Sequence, residues 1–232
     1  MTLKKLIFAL SLAAVAAQAQ AGVVLAEGFN TPGLLVSAGW VKLNPNAGKF
    51  GWEPGDDTTL GFGAQSGPAD SFVQANFGNA PVGGMLDSWL ITPLISLAGN
   101  RLNIDFWART QPDVPGYIDR LQVRYSTTTA TPTLANVGAQ FARLLVDINP
   151  AAVVDGMPSE WTRYTASIST GFAAGTRGRI GFEYVGVADN ANLVALDNVT
   201  VSVPEPVSLS LVGISLAALG VSRRKRKAQA QA

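Results

Sequence analysis

Apolar and polar residues alternate with a period of two in four segments of the chain, at 102–106, 121–125, 180–184 and 199–203. Such alternation predicts β-strands with one buried and one solvated face. Five weaker apolar segments predict further strands at 23–29, 71–77, 86–91, 141–148 and 161–168. The chain is therefore predicted to be rich in short strands.

Clusters of Gly, Pro, Asn and Thr separate these strands and predict turns. Residues 133–145 are the best helical candidate, although they lack a clear 3.6-residue period with caps. Residues 42–70, rich in Gly, Pro and Asp, predict long loops around one strand. Nine or ten short strands predict an all-β fold of two packed antiparallel sheets, and we expect a β-sandwich of the jelly-roll type.

The N-terminal segment departs from this pattern. Lys4 and Lys5 precede an uncharged apolar stretch at 6–17, and small-x-small sequences then end at Ala19 and Ala21. This order is typical of a secretory signal peptide, and the stretch is too short for a membrane-spanning helix of about 20 residues. The alternative, a buried N-terminal helix, would lack any polar face. We predict that residues 1–21 are a signal peptide and that the protein is exported.

The C-terminal segment combines a Pro-Glu-Pro sequence at 204–206, an uncharged run at 207–221 and five consecutive basic residues at 223–227. The run is short for a stable transmembrane helix, and the basic residues would hold its end on the cytoplasmic side of a membrane. We predict one β-sandwich domain over residues 22–203, a hydrophobic sorting helix within 204–227 and a disordered tail at 228–232.

Charge is distributed unevenly along the chain, whose formal net charge is +1. Seven of the 17 Lys and Arg residues lie in the two terminal segments, and one of the 16 acids does. Ten basic and fifteen acidic residues remain in 22–203, which gives this domain a net charge of −5. An acidic domain argues against nucleic acid as its partner.

The C-terminal segment resembles the PEP-CTERM sorting signal, whose three parts it shows in the family's order. The matching residues are Pro204, Glu205, Pro206, the apolar run, and Arg223, Arg224, Lys225, Arg226 and Lys227. The resemblance implies an inner-membrane intermediate in a Gram-negative envelope, recognition by an exosortase and removal of the tail near Pro-Glu-Pro. It also implies a cell-surface or extracellular location, commonly in an exopolysaccharide or biofilm setting.

The domain between the two ends is similar to choice-of-anchor J domains, which are themselves similar to cleaved-adhesin and MAM-like jelly rolls. The matching segments are 27–30, 39–40, 87–93, 102–107, 119–126, 161, 178–184 and 196–199. The family has a jelly-roll fold and a surface location, but no shared catalytic activity to transfer.

The chain contains no Cys and no His. Nucleophile–histidine pairs and zinc sites built on these ligands are therefore excluded. Glycoside hydrolysis by a pair of carboxylates remains open, because Asp and Glu are scattered through the domain.

Two acids are candidate ligands of a structural calcium ion. Glu27 and Asp197 each have the parity of the apolar residues in their own predicted strand, so both would point inward, where an unpaired charge is costly. Because the terminal strands of a domain commonly lie close together, we predict a calcium site of Glu27, Asp197, the side chain of Asn198 and loop carbonyls. Similar adhesin-like jelly rolls bind calcium. The alternative is that each acid accepts backbone N–H bonds or lies at a solvated strand end; Asp87 and Asp119 are weaker candidates.

Trp107 is the candidate ligand-binding residue, because it falls on the polar face of its strand beside Asn103, Asp105 and Arg109. Its ring could stack on a sugar, although an aromatic residue in a sandwich is more often part of the core. We expect a non-catalytic surface or extracellular-matrix protein whose partner is an extracellular polysaccharide or another surface protein. The alternatives are a carbohydrate-binding module and a glycoside-active enzyme.

Overall fold

A computed structural model describes residues 21–46 and 49–204 of the chain. The predictions for residues 1–20, Glu205, Pro206 and the basic run lie outside the described residues. Ala21, the last residue of the predicted signal peptide, begins the first strand, and Pro204, the first residue of the predicted sorting segment, ends the last one.

One six-stranded sheet, sheet A, carries the site described below. It consists of β1 (Ala21–Glu27), β3 (Glu53–Pro54), β4 (Val73–Asn76), β7 (Gly99–Arg109), β10 (Thr162–Phe172) and β12 (Leu193–Pro204). The strands follow the order β10, β7, β12, β4, β3, and β1 pairs with β12. The β10–β7, β7–β12, β12–β4 and β4–β3 pairs are all antiparallel.

A second six-stranded sheet, sheet B, lies opposite. It consists of β2 (Val41–Leu43), β5 (Met85–Ile91), β6 (Ile95–Ser96), β8 (Leu121–Ser126), β9 (Arg143–Ile148) and β11 (Arg177–Val187). The order is β2, β5, β11, β8, β9, with β6 on β11. All nine strands whose bounds were predicted from the sequence are present, and β2, β3 and β6, for which no bounds were predicted, have only two or three residues.

The helices are single turns, α1 (Asp57–Leu60) and α2 (Val137–Gln140), and 3-10 turns lie at Pro32–Leu34, Phe77–Asn79 and Ala188–Asn190. The helical candidate at 133–145 therefore forms one turn, because its C-terminal part enters β9. Within residues 21–46 and 49–204, no helix has the length and apolar character needed to cross a membrane.

The main core fills the space between the two sheets. Phe106 of β7 meets Phe182 of β11 edge-on with ring centroids 5.4 Å apart, and neither side chain is exposed. Leu196, Val199 and Val201 of β12 are also fully buried in this cluster. The packing of two antiparallel sheets around one core confirms the predicted all-β sandwich.

Each sheet also carries a small apolar cluster on its outer face. On sheet A, Phe62, Phe72 and Trp161 cover Leu193 and Ala195. On sheet B, Val137 and Phe141 cover Trp89 and Ile91. The outer face of sheet A beyond its cluster is polar and open, and it contains the residues that the sequence singled out.

Candidate functional site

A bulge in β12 shapes the outer face of sheet A. Asn198 has a left-handed backbone (φ 50°), and the register between β12 and β7 shifts between Asp197 and Thr200. Asp197 consequently lies on the outer side with Ala195, whereas Val199 points into the core. The predicted inward parity of Asp197 is wrong, because an inserted residue reverses the alternation of a strand.

Asp197 is nevertheless fully buried, beneath the loop that contains Gln65 and Ser66. Its Oδ2 accepts hydrogen bonds from the backbone N–H groups of Gln65 (2.8 Å) and Ser66 (3.3 Å), and its Oδ1 accepts one from Asn198 (2.6 Å). Burial raises the pKa of Asp197 from 3.8 to about 6, against the opposing effect of these three donors. None of the ion pairs within the described ranges includes this carboxyl.

The structure brings the end of β1 to the same bulge. A Cβ placed on Gly28 would lie 3.4 Å from Oδ1 of Asn198. The neighbouring Glu27 is partly buried, and its Oε1 accepts a hydrogen bond from the backbone of Phe29 at 2.8 Å. The two acids of the predicted calcium site thus each accept hydrogen bonds from backbone N–H groups, which is the arrangement expected in the alternative to calcium binding.

The calcium site stays a prediction. The amide nitrogen of Asn198 donates to Oε1 of Gln65 (2.6 Å) and to Oγ of Ser66 (2.9 Å), which fixes the side chain against the loop. Among the residues that the structure describes, no group of three or more His, Cys, Asp or Glu side chains could hold a metal ion. A cation here would therefore depend on amide and carbonyl oxygens as well as on carboxylates.

Three strands place side chains in matched rows on this face, which is open except at Asp197, where the loop with Gln65 and Ser66 covers it. The rows, from β12 through β7 to β10, are Asp197–Trp107–Arg163, Thr200–Asp105–Thr165 and Ser202–Asn103–Ser167. Trp107 is partly exposed, as its predicted position on the polar face of β7 requires. We call these three rows the sheet A platform.

Polar contacts order the platform. Arg163 donates from Nε (2.7 Å) and Nη2 (2.6 Å) to Oδ2 of Asp105, and Ser167 donates to Oδ1 of Asn103 at 2.7 Å. These four side chains line a groove of about 410 Å³ together with Thr165, Thr200 and Ser202. The groove offers hydroxyl, amide and ion-paired groups to a ligand. Trp107, which lies two residues after Asp105 on the same face of β7, adds an apolar surface next to the groove.

The weaker calcium candidates serve as internal acceptors. Asp119 accepts hydrogen bonds from Tyr184 Oη (2.5 Å), Thr110 Oγ1 (2.7 Å) and the backbone of Asn192 (2.9 Å). Burial raises the pKa of Asp119, against the effect of these donors. Asp87 accepts a hydrogen bond from the indole of Trp89 at 2.5 Å. The contacts of Asp119 join β11 to the loops before β8 and β12, whereas the contact of Asp87 lies within β5.

Sequence reasoning missed one acid, Glu183, on the outer face of sheet B. Burial raises the pKa of Glu183 to about 7; Arg124, 2.8 Å away, opposes this rise and Asp87 adds to it. Only 12% of the Glu183 side chain is exposed, and Arg124 also reaches the carbonyl of Phe141. The proximity of Glu183 to Asp87 depends on the β5–β11 register, which no local sequence pattern reveals.

Comparison with known proteins identifies the fold of this chain. No protein-family model and no curated protein matches the sequence. The K1 cleaved adhesin domain of Lys-gingipain from Porphyromonas gingivalis W83 matches with a TM-score of 0.51 and 20% identity over 78% of this chain and 99% of that one. The K3 cleaved adhesin domain of the same protein matches with a TM-score of 0.49 and 21% identity over 78% of this chain and 98% of that one. The CBM22-1 xylan-binding domain of Paenibacillus barcinonensis Xyn10C matches with a TM-score of 0.45 and 10% identity over 82% of this chain and 99% of that one. The K1 match shows that the chain shares the fold of a cleaved adhesin domain.

Proposed function

We propose that this protein is an exported, non-catalytic surface module that binds polysaccharide through the sheet A platform. The observation that supports the proposal is the groove itself, in which aligned hydroxyl, amide and ion-paired side chains lead to the partly exposed Trp107. Sugar rings present hydroxyls at their edges and C–H groups on their faces, so they need both kinds of contact.

The dimensions of the platform suit an extended chain. Asn103 and Trp107 are four residues apart on β7, a span of about 14 Å at about 3.4 Å per residue, roughly the length of two to three linked sugar rings. The two charged residues that line the groove, Asp105 and Arg163, pair with each other. A groove without excess charge favours a neutral polysaccharide over a strongly acidic one.

The arrangement of the carboxylates supports binding without turnover. A glycosidase of the usual type needs two carboxyl groups flanking the scissile bond. Asp105 is the single carboxylate that lines the groove, and it is paired with Arg163. Asp87 and Glu183 lie near each other, but they are on sheet B, away from the groove, and Glu183 is mostly buried. The alternative of a glycoside-active enzyme therefore has less support than a binding module.

Export and sorting are supported by the two terminal segments. The proposed course is removal of residues 1–21, an inner-membrane intermediate held by 207–227, and recognition of Pro204, Glu205 and Pro206 by an exosortase. The mature protein would then lie on the cell surface or in the extracellular matrix. The intact mass of protein recovered from the envelope and medium tests this course: loss of both ends is expected, and a full-length mass would contradict it.

Binding is tested by affinity electrophoresis of the full-length protein in gels that contain soluble xylan, galactan, β-glucan or mannan. Retardation is expected in at least one gel, and Trp107→Ala should weaken it about tenfold, or about 1.4 kcal/mol. Phe50→Ala is the matched control, because Phe50 is 77% exposed on a loop and lies off the platform. Equal retardation of a folded Trp107→Ala variant and the wild type, or no retardation in any gel, would contradict the proposal.

A further inference from the structure

A second cavity, of about 420 Å³, lies at one end of the sandwich. It is formed by loops next to the ends of β4, β11 and β12, and its walls include Phe77, Val82, Tyr117 and Ala188. It shares no lining residue with the sheet A groove. Its volume falls within the range of small-molecule sites, roughly 300–1,000 Å³.

Hydrogen bonds between separate loops hold the walls of this cavity in place. Backbone N–H groups donate from Gly83 to Oδ1 of Asp189 (2.7 Å), from Ala188 to the carbonyl of Gly84 (2.9 Å) and from Phe77 to the carbonyl of Asn192 (2.9 Å). The turn that begins at Phe77 is fixed in addition by Asn76, whose Oδ1 accepts from Gly78 at 2.8 Å. A site whose walls are already ordered binds with a smaller entropic cost.

Apolar side chains at the mouth of the cavity are left exposed. Phe77 is 54% and Val82 is 93% exposed, whereas the small floor residues Ala80, Ala188 and Ala191 are almost fully buried. Burying an aromatic side chain is favourable, and about half of the Phe77 side chain is still exposed to solvent in this fold. A ligand that fills the cavity would cover the exposed ring.

Polar groups complete the lining. Lys49 offers an ammonium donor, Tyr117 a hydroxyl, and Asp189 a carboxylate of which Oδ1 already accepts from Gly83 and Oδ2 faces no donor among the hydrogen bonds of the described residues. The lining thus pairs a flat apolar surface with a few donors and acceptors. A pyranose ring has the matching pattern, because its C–H face is apolar and its edge carries hydroxyls.

We infer that this loop-end cavity is a second carbohydrate site, which takes a single pyranose ring such as the end of a chain. Phe77 packs against the face of the ring, and Asp189 and Lys49 bind its hydroxyls. The inference goes beyond the proposed function, in which the sheet A platform binds the interior of a chain. One module would then recognise both the length and the end of a polysaccharide.

Saturation-transfer difference NMR of the full-length protein tests the inference. The protein is kept in a detergent without a sugar headgroup, and the probes are the methyl pyranosides of glucose, galactose, xylose and mannose. At least one probe should receive saturation from the protein, and Phe77→Ala should weaken its binding at least tenfold. Lys49→Ala, at an exposed position, is the second variant and should weaken the same probe.

Two control variants separate the sites. Leu134→Ala changes an exposed apolar residue that lines neither cavity and should leave the saturation transfer unchanged. Trp107→Ala changes the platform and should remove only the platform's share of the saturation transfer, so that the part that depends on Phe77 remains. The inference is overturned if no probe receives saturation, if folded Phe77→Ala and Lys49→Ala both bind as the wild type does, or if Trp107→Ala alone abolishes binding. Loss of polysaccharide retardation in Trp107→Ala with intact pyranoside binding would leave both sites standing.

Discussion

Replacing Asp197 with Asn should flatten the fall in folding stability between pH 4 and pH 6. Burial raises the pKa of this carboxyl from 3.8 to about 6 in the folded protein, so the folded state holds the proton more tightly than the unfolded state. The stabilisation from that proton is complete below pH 4 and is lost as the pH rises through 6. At 1.36 kcal/mol per pKa unit, the loss amounts to about 3 kcal/mol.

The local structure explains why this change is measured as a slope. Asp197 is fully buried, with three backbone N–H donors and no cation within the described residues. Asparagine would turn an NH₂ group toward at least one of those donors, so the variant should be less stable at pH 4 for a reason unrelated to titration. The informative quantity is the change in free energy of unfolding per pH unit, about −1.4 kcal/mol from Asp197 alone.

Urea denaturation of the full-length protein from pH 4 to pH 8 provides the measurement. Glu183→Gln is the matched control, because burial raises the pKa of Glu183 from 4.5 to about 7 and its contribution continues to fall up to that pH. Asp197→Asn should therefore reduce the slope between pH 4 and pH 6, and Glu183→Gln should reduce it from about pH 4.5 to pH 7, so that only Glu183→Gln changes the fall between pH 6 and pH 7. Parallel curves for the wild type and Asp197→Asn between pH 4 and pH 7 would refute the reasoning.

Two further predictions concern the calcium hypothesis and the core. If calcium binds beside Asp197, a chelator should lower the melting temperature at pH 7.5 by about 5–10 °C, compared with protein in calcium at a hundredfold excess over Kd. The decrease should be smaller at pH 5, because a proton then competes with calcium for the carboxylate. An unchanged melting temperature at both pH values would exclude the site. Gly178→Ala should cost about 3 kcal/mol in urea denaturation, because the new Cβ would overlap the carbonyl oxygen of Ser126. Gly138→Ala, with no neighbouring heavy atom within 4 Å, is the control, and equal stability of the two variants would contradict the packing argument.

Local periodicity was sufficient to locate the long strands because their inward-facing residues are apolar at every second position. The alternation at 102–106 and 180–184 corresponds to β7 and β11, whose apolar residues meet in the core. The short strand β3, Glu53–Pro54, has too few residues to show a period, so its region was predicted as loop around one strand. Its place beside β4 is set by tertiary pairing instead.

The candidate site was predictable only on the strand that carries Trp107. Parity placed this residue correctly on the face of Asn103 and Asp105, because β7 has no bulge in this stretch. The partners Arg163 and Ser167 are 58 and 64 residues away from Asp105 and Asn103, and only the β7–β10 register brings them together. Long-range register has no signature in a local pattern of apolar residues.

The bulge in β12 is the reason that the predicted inward orientation of Asp197 is wrong, and it also determines the form of the platform. Asp197 and Thr200 are three residues apart on β12, yet they pair with Trp107 and Asp105, which are two apart on β7. One inserted residue, Asn198, absorbs the difference in a left-handed conformation that asparagine adopts more readily than most residues. The inner face keeps Leu196 and Val199 in the core on either side of the bulge, while the outer face keeps its polar rows aligned with β7. A strand without the insertion would have to give up one of these two faces, since a shift of one residue exchanges them. The bulge is therefore the feature that allows a continuous core and an ordered polar platform to share the same strand.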